Sequence, residues 1–131
     1  MKKIILIPLA ALLFLPSVFA ADVCSDPASD VDVLNCALQD RERAEVSLNQ
    51  QYLAAKKRIA SRYAASPKLA SEYQETLLDS QRGWLKYREG QCKLEAFLAE
   101  EKTSANQALV SHCVAHLNKQ RINQLKAMPY E

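Results

Sequence analysis

If the stretch from Leu77 to Cys92 is helical, Gln81, Trp84, Arg88 and Cys92 fall on one ridge, because residues three and four apart are neighbours on a helix. Leu78, Leu85 and Cys92 repeat every seven residues along the same side. The stretch also holds the chain's only tryptophan and both of its glycines. A cysteine, a large aromatic and a cation on one apolar ridge need another helix to lie against. The segment Leu109 to Met128, which carries Cys113, is that helix.

The flanking sequence completes the set. From Asp30 to Ala64 there is no glycine or proline. Leu34, Leu38, Leu48, Tyr52, Ala55, Ile59 and Tyr63 recur there at spacings that keep one face apolar, interrupted by Arg41 and Glu45. Asp26-Pro27 is a plausible helix start, so the long helix is expected either whole or with a short first piece. Ser66-Pro67 reads as N-cap and first position of a second helix, from about Lys68 to Glu101. Its Thr76, Ser80, Gly83 and Gly90 form a small-residue face, suited to a close backbone approach or a bend. Ser104 and Gln107 fit a capping box for the third helix, which Pro129 stops after Leu117, Arg121, Leu125 and Met128. No strand pattern appears. The expected fold is all-α, an antiparallel bundle of three main helices.

Met1-Lys2-Lys3, an apolar run from Ile4 and the small-residue exit Val18-Phe19-Ala20 have the pattern of a secretory signal peptide, cleaved after Ala20. Ala21-Asp22-Val23 before Cys24 lacks the small residue a lipid-anchoring signal wants, so no stable membrane insertion is expected after cleavage. Residues 21–131 are then a single periplasmic domain, small enough that staples help its stability. Loss of Lys2 and Lys3 brings the 17 Lys and Arg down to 15, equal to the 15 Asp and Glu. A formally neutral domain argues against a nucleic-acid partner. Four cysteines in an exported chain are an even set for two disulfides, and no pair is close enough for a zinc knuckle. Spacing alone leaves Cys24 free to pair with Cys36, Cys92 or Cys113.

A Cys92–Cys113 bridge would set the register. Arg88 would then face Leu117, Trp84 would face Arg121, and Leu77 and Leu78 would face Met128. The Ser66 turn brings Leu48 to Trp84 and Glu45 near Arg88. A partly buried Arg88 needs that carboxylate, since a lone buried charge is expensive. Trp84 with Arg121 would make a cation–π contact.

Four features resemble the small exported family typified by the lysozyme inhibitor LprI. They are Cys24 and Cys36, the run Leu48-Asn49-Gln50-Gln51-Tyr52, the run Gln81-Arg82-Gly83-Trp84-Leu85-Lys86-Tyr87-Arg88-Glu89-Gly90-Gln91-Cys92, and Cys113 followed by Arg121 and Leu125. The resemblance implies an α-helical LprI-like domain with the local pairing Cys24–Cys36 and Cys92–Cys113. It also implies lysozyme inhibition in the member that gives the family its name. The matched residues read as fold determinants: cysteines, a core tryptophan, a core tyrosine and a buried arginine pair.

Three functional readings remain. The leading one is a protein that binds another protein, a lysozyme inhibitor that protects peptidoglycan. Muramidases work with two carboxylates in a cleft, which a rigid turn offering donors could fill. The turns at residues 65–68 and 102–106 are the candidates, with Lys102, Thr103, Ser104 and Asn106 as the partner-binding residues, and the acidic start could attract a cationic enzyme. The alternative is a non-inhibitory envelope adaptor, assembly factor or immunity protein, with Tyr73, Tyr87 and Tyr130 on its partner surface. The third is a metal site at His112 and His116, one turn apart, but no third ligand accompanies them and surface histidines are the plainer reading. No nucleophile or acid–base pair stands out and no cofactor is implied, so the chain is expected not to be an enzyme.

Overall fold

A computed structural model describes residues 23–130. The expected signal peptide and its cleavage site lie outside those residues. Three helices follow in order: α1 (Asp30–Arg62), α2 (Pro67–Glu95) and α3 (Ser104–Lys126), with no strand among the described residues. Bridges join Cys24 to Cys36 and Cys92 to Cys113.

α1 starts at Asp30, not at Asp26-Pro27, and runs unbroken. The Ser29 hydroxyl accepts from the Asp32 amide at 3.2 Å, and Asp30 and Asp32 occupy the first turn, where the helix dipole favours negative charge. Residues 23–25 form a turn instead, which the Cys24–Cys36 bridge ties to α1. The buried face of α1 carries Ala44, Leu48, Ala55 and Ile59. Leu38 is exposed, contrary to the expected stripe. Counting back from Leu48 at helical spacing reaches Ala44, Arg41 and Ala37, so Leu38 lies about 100° round the helix.

Pro67 opens α2 as its first residue, but the Ser66 side chain makes no capping bond; its amide donates to the Tyr63 carbonyl at 2.8 Å instead. The core ridge of α2 runs through Leu77, Gln81 and Cys92, with Trp84 and Arg88 half-buried. Leu78 and Leu85 are exposed, because the ridge follows their neighbours Leu77 and Trp84. The small-residue face of Thr76, Ser80, Gly83 and Gly90 is exposed as well, and a Cβ built on either glycine would meet nothing within 4 Å beyond its chain neighbours and the adjoining backbone of α2 itself. No backbone therefore approaches that face. α2 stops at Glu95, six residues before the expected Glu101.

α3 is the central element. Nine of its residues are buried, from Ser111 to Leu125, and α1 packs chiefly on it. Its N-cap is Thr103, not Ser104: the Thr103 hydroxyl accepts from the Asn106 amide at 3.2 Å. Gln107 reaches back to the Lys102 carbonyl at 3.1 Å rather than closing a capping box with Ser104. At the far end α3 gives way at Lys126, short of the expected Met128. There Arg58 of α1 donates to the carbonyls of Leu125 at 2.6 Å and Met128 at 3.0 Å, placing a cation at the negative end of the helix dipole.

The helices meet in a regular order of pairs. Cys92 with Cys113, Arg88 with Asn118, and Trp84 with Arg121 run upward along one helix and downward along the other. Leu48, Ala55, Ile59, Leu77, Ile122, Leu125 and Met128 form one apolar cluster. Cys92, Cys113, Val114 and Leu117 form a second, and Trp84 packs against both.

Candidate protein-binding site

Trp84 is flanked by two cations. The Arg88 guanidinium carbon lies 5.3 Å from the Trp84 ring centroid and that of Arg121 lies 5.8 Å away. Arg88 donates to Glu45 at 2.8 Å and to Asn118 at 2.6 Å, so one side chain pins all three helices. Asn118 is fully buried and its Nδ2 has no hydrogen-bond partner. Arg121 spreads its fork over neutral acceptors: Gln81 at 3.0 Å, Ser80 at 3.0 Å and Gln124 at 2.9 Å. Burial pushes its pKa down from the ordinary arginine value. Apart from Asn118 Nδ2 and the Arg121–Gln124 bond within α3, the polar groups here bond from one helix to another, so this layer holds the bundle together.

The segment between α2 and α3 is built differently. Asn106 sends its Nδ2 back to the carbonyls of Ala96 at 3.3 Å and Ala99 at 3.2 Å, satisfying groups that the end of α2 leaves open. Thr103 ties itself to Glu100 twice, amide at 3.3 Å and hydroxyl at 2.7 Å to the same carbonyl. Lys102 turns the chain with a left-handed φ of 67°. The Cys92–Cys113 bridge anchors the base, both cysteines being buried. On this brace stand Leu94, Phe97 and Leu98, exposed to 68%, 78% and 99%. Beside them lies an open groove of about 890 Å³ lined in part by Gly90, Ala96, Lys102 and Val110. Across its rim Lys93 holds Glu89 at 2.9 Å. That hydrogen bond, with the attraction of opposite charges, lowers the Glu89 pKa and raises that of Lys93.

The family model described as "Lysozyme inhibitor LprI" matches residues 24–125. The chain belongs to the LprI family. It is also similar to an uncharacterized protein of Rhizobium meliloti (strain 1021), 34% identical over 111 residues that cover 80% of this chain and 77% of that protein. No solved structure matches.

The residues expected to form the family motif divide between core and surface. Leu48 and Leu125 are fully buried, Gln81 and Arg121 nearly so, and Tyr52, Trp84 and Arg88 half-buried. Asn49 and Tyr87 are exposed. Of the residues expected to touch a partner, Lys102 and Ser104 face solvent, while Thr103 and Asn106 spend their polar groups inside the loop. Tyr73 stacks near Tyr63 at 5.8 Å and its hydroxyl accepts from the Tyr130 amide at 3.1 Å. His112 and His116 are exposed, His116 bonded to Gln120 at 2.9 Å, and no group of three or more His, Cys, Asp or Glu gathers at a metal-sized site among the described residues. No helix among them is long and apolar enough to cross a membrane.

Sequence reasoning missed Phe97 and Leu98 because it placed both inside α2. A signal was present. The ridge Gln81, Trp84, Arg88, Cys92 continues at helical spacing to Ala96, which leaves Leu94, Phe97 and Leu98 off the core face.

Proposed function

We propose that this chain is an exported, periplasmic protein that binds a lysozyme and inhibits it, protecting peptidoglycan, and that it is not itself an enzyme. The match to the lysozyme-inhibitor family over residues 24–125 carries this reading. Two disulfides fit an oxidising compartment, as does the amino-terminal sequence pattern of a secretory signal.

The α2–α3 loop is the part of the bundle suited to the task. A muramidase cleft offers two carboxylates. Lys102 is exposed at the turn of a loop whose backbone is already fixed, so ordering it on binding costs little. Its ammonium would meet the cleft carboxylates while Ser104, at the first position of α3, offers a hydroxyl beside it.

The test is lysis of a peptidoglycan suspension by c-type, g-type and i-type lysozymes, with and without oxidised protein lacking residues 1–20. Stoichiometric inhibition of one class is the expected result. Full activity of all three, with the protein folded and both bridges formed, would turn the assignment to an envelope adaptor or immunity protein.

A further inference from the structure

The exposed apolar residues at the end of α2 are concentrated at one place. Leu98 is 99% exposed and Phe97 78%, adjacent in sequence and lifted clear of both apolar clusters. A large aromatic on a pre-braced turn is the kind of side chain that dominates protein interfaces. The surrounding charge is one-sided. Glu89, Glu95, Glu100 and Glu101 stand against only Lys93, which pairs with Glu89 at 2.9 Å and also faces Glu101, and Lys102, all six exposed. That excess of acid repels the anionic surface of a bilayer and favours a basic protein.

We propose that Phe97 and Leu98 enter an apolar cleft of a cationic protein, with Glu95, Glu100 and Glu101 facing the basic rim of that cleft. This deepens the inhibitor reading and rests on it: the partner is a lysozyme with a basic surface. Asn106 sets the presentation, because it holds the Ala96 and Ala99 carbonyls on either side of the two apolar residues.

The experiment measures binding of the wild type, Phe97→Ser/Leu98→Ser and Glu100→Lys/Glu101→Lys to c-type, g-type and i-type lysozymes, alongside flotation with anionic vesicles of phosphatidylcholine and phosphatidylglycerol. The Ser variant removes side chains that stand in solvent, so it keeps its melting temperature within about 2 °C. It is expected to bind at least about 30-fold more weakly. The charge-reversed variant is expected to associate roughly tenfold more slowly and to lose the salt dependence of the wild-type on-rate. Loss of binding in the Ser variant supports the inference even if the bound lysozyme stays active, an outcome that removes only the inhibitor reading. Unchanged binding by both variants overturns the inference and leaves the inhibitor reading standing. A wild type that binds none of the three overturns both. Flotation of the wild type with the vesicles, abolished in the Ser variant, also overturns the inference.

Discussion

Arg88 donates to Glu45 at 2.8 Å across the seam between α1 and α2, and the same nitrogen reaches Asn118 of α3 at 2.6 Å. The ion pair is sheltered, its side chains 15% and 31% exposed, so it is worth more than a pair on open surface. Arg88→Met keeps much of the packing on Trp84 but strands the Asn118 carbonyl oxygen in the core. A loss of about 2 kcal/mol follows from leaving a buried acceptor unmade. Chemical denaturation of this variant and of Arg88→Met/Asn118→Leu checks the mechanism. The double variant removes both partners and should recover part of the loss; an equal or larger loss would show that packing, not the orphaned acceptor, sets the cost.

Arg121 gives a sharper test of geometry than of charge. Its three nitrogens each serve a different neutral acceptor, on Gln81, Ser80 and Gln124. Lysine keeps the charge but offers its three N–H donors from one nitrogen rather than from a spread fork, so Arg121→Lys cannot reach all three acceptors and leaves a charge less well shared in a buried site. The expected destabilisation is about 2 kcal/mol. Trp84 is the only tryptophan, so its fluorescence reports the same site directly, and an unshifted emission in Arg121→Lys would argue that the guanidinium does not lie over the ring.

Much of this core was readable before any coordinates. The contact of Trp84 with Arg121 follows from helical spacing plus one cross-link, because a disulfide at Cys92 and Cys113 leaves little freedom in how two helices align, and that of Arg88 with Glu45 follows from the same spacing counted across the Ser66 turn. What spacing reads poorly is where a helix ends. Lys93 to Glu101 has good helix formers throughout, and nothing local forbids continuing. The helix stops because Asn106, ten residues past Ala96, takes the carbonyls that a further turn of α2 would have used. That competition is tertiary. Continued helical spacing already puts Phe97 and Leu98 off the core face, but only the end of α2 and the turn after it lift them clear of the bundle.

The two bridges should differ in what their loss does. They close loops of similar size, with sequence separations of 12 and 21, so the chain-entropy contribution of each is near 3 kcal/mol. Burial separates them. Cys92 and Cys113 are core residues, and replacing them also opens a small cavity beside Val114 and Leu117. Cys24 and Cys36 are half-buried at the start of the bundle. Cys92→Ala/Cys113→Ala is therefore expected to melt at a lower temperature than Cys24→Ala/Cys36→Ala. Under graded reductant, mass spectrometry with thiol labelling should find Cys24 and Cys36 labelled first. The reverse order would mean that the segment tied by Cys24 and Cys36 is held more tightly than its exposure indicates.

Asn106 is where stability and presentation of the loop can be separated. Its side chain donates to Ala96 and Ala99, and its backbone amide donates to Thr103. Asn106→Ala removes only the first two bonds, leaving the amide cap in place, and frees two carbonyls at a half-exposed position where water can reach them. Global stability should therefore fall by only about 1 kcal/mol. Asn106→Asp is worse than alanine above the carboxyl's titration range, since a carboxylate would face two carbonyl oxygens with no proton to give. Hydrogen exchange is the measurement that isolates the loop: amides between residues 97 and 103 should lose protection in both variants while those of α1 keep theirs. If the loop stays protected in Asn106→Ala, then Thr103 and the Cys92–Cys113 bridge are enough to hold Phe97 and Leu98 in place, and the asparagine serves only to close the end of α2.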